Sequence, residues 1–215
     1  MKSVLVIGAG KFGMHISKVF SEFGSDVLIM DISEELINDI SPYVSEAKIG
    51  NGTKREVLEA QGVDNFDICV VSLGELGESL EATYLLKSLG ASYIIAKANH
   101  ELHAELLKRS GADEIVYPEK QIAERIATKH TARKVSDYIE ITSDYSVCEM
   151  EVPQAWIGKA LKKIGAREKY HINILAYRQT DFFVEEVLPS HVFKEHEHIM
   201  VFGQKKNIIK MSERL

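Results

Sequence analysis

The chain is poor in several things, and each shortage narrows what it can be. Its 215 residues include two cysteines, four prolines and one tryptophan, too few cysteines for a disulfide-stapled scaffold. Cys69 falls in an apolar run of strand length and Cys148 in a later apolar stretch, so both are expected as inert core thiols rather than a bridge. No window approaches the roughly 18 apolar residues of a membrane span, and Met1-Lys2 leads into a strand without a signal-peptide pattern. The expected compartment is the cytoplasm. Positive charge is also short, with 26 Lys and Arg against 32 Asp and Glu and a formal charge of -6, which argues against a general nucleic-acid binder.

What is present begins at the N-terminus. The apolar run Val4-Leu5-Val6-Ile7 meets Gly8, Gly10 and Gly13 in G-x-G-x-x-G spacing, and a second apolar run closes on Asp31, eighteen residues after Gly13. Gly8 would permit the tight turn, Gly10 the approach of backbone to phosphate, and Gly13 close packing of the following helix on the sheet. Phosphates would then face a helix N-terminus, where unpaired N–H groups and the dipole favour anions. Asp31 can accept hydrogen bonds from ribose hydroxyls, and its charge disfavours a 2′-phosphate and hence NADP. The cradle suits NAD, ATP, ADP or AMP, so it defines a ligand class and leaves activity open.

Strand and helix patterns alternate through residue 117: strands at 2–7, 26–30, 46–49, 68–72, 93–97 and 114–117, with helices at 12–23, 33–40, 54–61, 78–89 and 101–110 between them. Val- and Ile-rich strands without polar alternation predict a doubly wound parallel sheet of Rossmann type buried on both faces. Ligands of such sheets sit beyond the strand C-termini, so the loops bearing Gly8–Gly13, Asp31–Ser33, Gly50–Thr53, Ser72–Leu76 and Lys97–His100 should converge on one crevice. After Pro118 an amphipathic helix with Ile122, Ala123, Ile126 and Ala127 on one stripe is expected, and residues 118–136 read as a connector. Residues 137–215 then form a smaller α+β domain, with strands at 138–141, 147–152, 172–178, 182–187 and 198–202 and a helix at 157–164.

The order of several modest motifs is similar to the RCK family, cytosolic regulatory subunits of Ktr and Trk potassium-uptake systems. The residues carrying it are the glycine turn with Lys11 and Phe12, Gly50-Asn51-Gly52-Thr53, Ala96-Lys97-Ala98-Asn99, and Gly111-Ala112-Asp113-Glu114-Ile115-Val116-Tyr117-Pro118-Glu119. In the second domain they are Gly158-Lys159-Ala160-Leu161 and Arg167 through Ala176. The resemblance implies a non-enzymatic, nucleotide-binding gating subunit: a homo-oligomer, dimers assembling to an octameric ring, docked on a membrane-embedded potassium transporter. Lys11 stands where the Ktr branch has an arginine directed at the γ-phosphate, and it keeps charge without the planar fork. Ser33 likewise replaces a common asparagine. Both departures shift weight from ATP toward ADP, AMP or NAD.

The resemblance also implies a divalent cation held by Glu119 between bound nucleotides, and cyclic di-AMP near Arg167, Leu161 and Ile174 of the second domain. From the residues themselves, Asn51 should meet the adenine edge from the loop it shares with Gly52, and Ser72, Gly74 and Glu75 should pass under ribose and phosphates, Glu75 pointing away or acting through a cation; Ile32 and Leu73 are expected among the nucleotide-binding residues, and Lys97 should offer charge to phosphate. Glu119 reads equally as an acid in a helix first turn. The histidines, including His100, His103, His191, His196 and His198, are expected at the solvated surface. The competing function is an NAD-dependent oxidoreductase whose second domain would supply an acid or base.

Overall fold

The computed structural model describes residues 1–131, 135–142, 144–179 and 182–212, and the chain divides into two compact units, Met1–Glu119 and Lys120–Leu215. In the first, β1 (Ser3–Ile7), β2 (Asp26–Asp31), β3 (Glu46–Ile49), β4 (Ile68–Val71), β5 (Ile94–Lys97) and β6 (Glu114–Val116) alternate with α1 (Lys11–Glu22), α2 (Glu34–Ile40), α3 (Arg55–Glu59), α4 (Leu76–Ser88) and α5 (Glu101–Ser110). All six strands are parallel in the order β3-β2-β1-β4-β5-β6. This is the doubly wound, Rossmann-like sheet expected from the alternation. Strand order reverses between β1 and β4, which makes their C-terminal edge the place where a ligand crevice opens.

The uninterrupted apolar runs have a direct cause. Val4 and Val6 point to one face of the sheet and pack with Val27, Ile29, Ile37 and Ile40, while Leu5 and Ile7 point to the other and pack with Met30, Cys69, Val71 and Leu86. Both faces are covered by helices, so alternation would leave polar groups in a dry layer. The two cysteines are buried and free, and burial pushes each thiol up to about 12.

The second unit carries β7 (Val135–Glu140), β8 (Tyr145–Glu151), β9 (Ile172–Arg178), β10 (Phe183–Val184) and β11 (His198–Gln204), an antiparallel sheet in the order β10-β9-β11-β8-β7. Its core joins Met150, Trp156, Ile172, Phe193, Ile199 and Val201. Four features differ from the sequence expectation. The helix anticipated at 157–164 is cut down to Leu161–Ile164, here α7, because Gly158 and Gly165 both take positive φ, +76° and +69°, and the chain before it bridges Ala160 to Val192. A second short helix, α8 (Ala166–Tyr170), follows Gly165. The strand anticipated at 182–187 shrinks to the two residues of β10, and a helix absent from the reading, α9 (Lys205–Ser212), buries Ile208 and Met211. Pro118–Thr131 is helical, α6, and Ile122 and Ile126 on its stripe are exposed.

Candidate functional site: the glycine-turn cleft

The turn between β1 and α1 is built by three glycines for three different reasons. Gly8 has φ +98°, and a Cβ there would stand 2.9 Å from the Ser72 carbonyl oxygen. A Cβ on Gly13 would lie 1.9 Å from the Gly8 carbonyl oxygen, so α1 can approach β1 only without a side chain at that position. Gly10 differs: it caps α1 at φ -64° and ψ -180°, and a Cβ on it would meet no atom within 4 Å. Neither backbone conformation nor internal packing demands glycine there. What the missing side chain leaves clear is the space in front of the first turn of α1, where no side chain caps the helix and no acidic residue stands. An anion fits that position by both geometry and dipole.

Asp31 ends β2 beside this turn. Its Oδ2 accepts from the Ala9 backbone N–H at 2.6 Å and its Oδ1 from the Ser33 N–H at 2.9 Å. The carboxylate thus holds the glycine turn to the end of β2, and the remaining lone pairs are what it can offer to ribose hydroxyls. A cleft of about 150 Å³ opens here and brings together Gly8, Asp31, Ile32, Asn51, Gly52 and Leu73 of the expected residues. It also includes Ile7, Met30, Gly50, Thr53 and Glu78. Four of those border residues already named and were reachable as neighbours. Glu78 was not, because its place on α4 only meets the cleft through the fold.

Other expected residues serve the scaffold. Phe12 packs with the β1–β2 core and presents only its backbone. The Ser33 hydroxyl accepts from the Leu36 N–H at 3.4 Å and caps α2. The Asn51 side-chain oxygen accepts from the Thr53 N–H and hydroxyl, at 2.9 and 2.8 Å, leaving only its Nδ2 donors for a ligand. Glycine at 52 is required by packing, since a Cβ would come within 2.3 Å of Ile7 Cγ2. Ser72 places a buried Oγ without a hydrogen-bond partner behind the turn. Gly74, with open space at its Cβ position, uses its carbonyl to accept from Asn99 Nδ2 at 2.8 Å. Lys11 is exposed beside the turn.

Lys97 and Glu119, expected to face phosphate and a cation, are paired with each other at 2.9 Å, and the lysine holds the Glu119 carboxyl below its ordinary range. Among the described residues, no three His, Cys, Asp or Glu side chains converge on a possible metal position.

The histidine expectation is overturned at three positions. His103 is fully buried: its Nδ1 accepts from the Asn99 N–H at 3.3 Å, and its Nε2 lies 2.7 Å from Ser79 Oγ. The serine hydroxyl donates to the Leu76 carbonyl, so the imidazole is neutral and donates through Nε2. Burial, with His100 nearby, lowers its pKa. This network ties α4 to α5 and to the loop after β5, and a histidine at helical spacing gave no sign of it. His191 and His198 are likewise engaged, with Glu197 and Glu149 at 3.1 Å each.

Fold and cleft together define a doubly wound domain of the dinucleotide-binding class followed by a small antiparallel unit. Comparison with known proteins carries this further. The TrkA-N domain model matches residues 4–118. The chain is 35% identical over 215 residues, all of its own length and 97% of the relative's, to the Ktr system potassium uptake protein C of Bacillus subtilis strain 168. It is 32% identical over 208 residues, 96% of its own length and 94% of the relative's, to the Ktr system potassium uptake protein A of the same organism. Among solved structures, the GsuK channel bound to NAD superimposes with a TM-score of 0.64 at 17% identity, over 96% of this chain and 38% of that one. The chain spans well under half of that channel, and the likeness is one of fold. The protein belongs to the RCK family, in the branch of the Ktr and Trk potassium uptake proteins.

Proposed function

We propose that the protein is the nucleotide-binding regulatory subunit of a potassium-uptake transporter, and that it acts by binding rather than turnover. The observation that carries this is Gly10: a glycine that neither packing nor backbone conformation requires, in front of a helix N-terminus that no side chain caps and beside the Asp31 carboxylate. The ligand is an adenine nucleotide, its ribose on the free lone pairs of Asp31, its base toward Ile32 and the Asn51 amide, and its phosphates on the N–H groups of Lys11 and Phe12. Lys11 lies beside the phosphates as a point charge, which favours ADP, AMP or NAD over strong selection for a γ-phosphate.

Gating requires that the nucleotide bind one assembly shape better than another, and only that difference can shift the gate. The assembly is a homo-oligomer, with dimers closing into a ring of eight, and the exposed Ile122 and Ile126 of α6 are the apolar surface a neighbouring subunit would cover. A divalent cation would join Glu119 to the nucleotide by displacing it from Lys97, and cyclic di-AMP would bind near Arg167. No described helix is long and apolar enough to cross a membrane, which agrees with a cytoplasmic subunit attached through its transporter.

The test is calorimetry on nucleotide-stripped protein with ATP, ADP, AMP and NAD, followed by potassium flux in vesicles holding the transporter. Saturable binding of at least one of the four, with flux that depends on it, is expected. No heat with any of them overturns the reading.

A further inference from the structure

The glycine-turn cleft is lined by two carboxylates, Asp31 and Glu78, and by no Lys, Arg or His. That charge decides which end of a nucleotide enters it. Phosphate is repelled and belongs outside, against the N-terminus of α1, so the cleft takes the nucleoside end. This rests on the reading of the cleft as an adenine-nucleotide site. The two acids differ in what they have left to give. Both Asp31 oxygens accept from backbone N–H groups, those of Ala9 and Ser33. Glu78 stands in the first turn of α4, and the bond that joins it to Glu75 runs from its backbone N–H to Glu75 Oε2 at 2.9 Å. Its own carboxylate has no hydrogen-bond or ionic partner among the described residues. A ligand that fills the cleft strips solvent from this carboxylate and must return a donor.

Asn51 supplies the complementary group. Its Oδ1 is taken by the Thr53 N–H and hydroxyl, which orients the amide so that only Nδ2 faces a ligand. The cleft therefore presents donors at Asn51 and an acceptor-only group at Glu78. We propose that Glu78 selects the base by accepting from the exocyclic 6-amino group of adenine, while the adjacent ring nitrogen accepts from Asn51 Nδ2. A 6-oxopurine in the same orientation sets an oxygen lone pair against the carboxylate. A site built to pair a polar group discriminates strongly against a ligand that leaves it unpaired. As an acid in a first turn Glu78 also complements the α4 dipole, but that role is indifferent to the base.

The experiment is calorimetry on full-length, nucleotide-stripped protein with matched 6-amino and 6-oxo ligands: ADP against IDP, AMP against IMP, and NAD against its hypoxanthine analogue. The parent should bind the 6-amino member of a pair at least tenfold more tightly. Glu78→Gln, whose amide can donate to an oxo group as well as accept from an amino group, should bring the ratio to threefold or less, chiefly by tighter binding of the 6-oxo ligand. Glu78→Ala should close the ratio by weakening the 6-amino ligand. A parent that binds both members equally overturns the proposal. So does a Glu78→Gln variant that keeps the parent ratio and only melts lower, since the glutamate then serves the helix alone. Absence of binding by every ligand overturns the nucleotide reading itself, an outcome distinct from binding without base preference.

Discussion

Replacing Gly10 and Gly13 separately by alanine tests whether the cleft is built for a ligand or only for a turn. At Gly13 the new methyl would sit 1.9 Å from a backbone carbonyl oxygen, which no rotamer can relieve. Relief requires α1 to move away from β1 by more than 1 Å against a close-packed layer, so the cost should reach or exceed the roughly 1–3 kcal/mol of ordinary overpacking. At Gly10 the methyl meets nothing within 4 Å and φ is already ordinary. Only the N-cap preference for glycine over alanine is lost, about 0.5–1 kcal/mol, or roughly 2–4 °C in melting temperature. A phosphate against the α1 N-terminus would collide with that methyl. Gly10→Ala should therefore weaken ADP or NAD binding at least about tenfold, worth some 1.4 kcal/mol, while the fold stands. Thermal denaturation and calorimetry on both variants give the result. Gly10→Ala binding nucleotide like the parent would refute the phosphate position, and an unshifted melting temperature in Gly13→Ala would refute the packing argument.

Asp31→Ala should lower stability as well as affinity, by about 1–3 kcal/mol, because it strands the buried Ala9 N–H; Asp31→Asn, which keeps an acceptor, should melt higher than the alanine variant, and thermal denaturation of the pair would expose an error if both melt like the parent. His103 is held neutral, with its pKa below the ordinary value, so the unfolded chain takes up the proton first as pH falls. Its contribution to stability is present above the unfolded value of about 6.5 and is lost as pH drops through that value toward the folded one. His103→Gln should show a smaller fall in melting temperature between about pH 7 and pH 5 than the parent, and equal slopes would contradict the assignment. Cys69 and Cys148, with thiols pushed up to about 12, should ignore Ellman's reagent at pH 8 until the chain is unfolded, when two thiols appear; fast labelling of folded protein would show that burial wrong.

The sheet was legible because its signal is local and repeated: each buried parallel strand must be apolar throughout, and each turn beyond it must carry small or polar residues. The same logic exposed Gly8, Gly10, Gly13 and Asp31, whose spacing along the chain fixes their positions across one β-α-β unit. Sequence could not divide the residues of the cleft between ligand and scaffold. Asn51 and Ser33 carry the right atoms for a nucleotide, yet most of that capacity is spent within two or three residues of themselves, a competition that side chains with short polar reach commonly lose to their own backbone. Lys97 and Glu119 are 22 positions apart and meet only because β5 and β6 are neighbours. The smaller unit was less legible for the same reason. Its helices α7 and α8 are four and five residues long and end at Gly165 and at His171 in left-handed conformations, so periodicity there has too few turns to register. Glu197, Tyr177 and His191 come together only through the return of β11 against β9. Local chemistry therefore marks where a ligand can be held, and the long-range pairings decide which polar atoms are left to hold it.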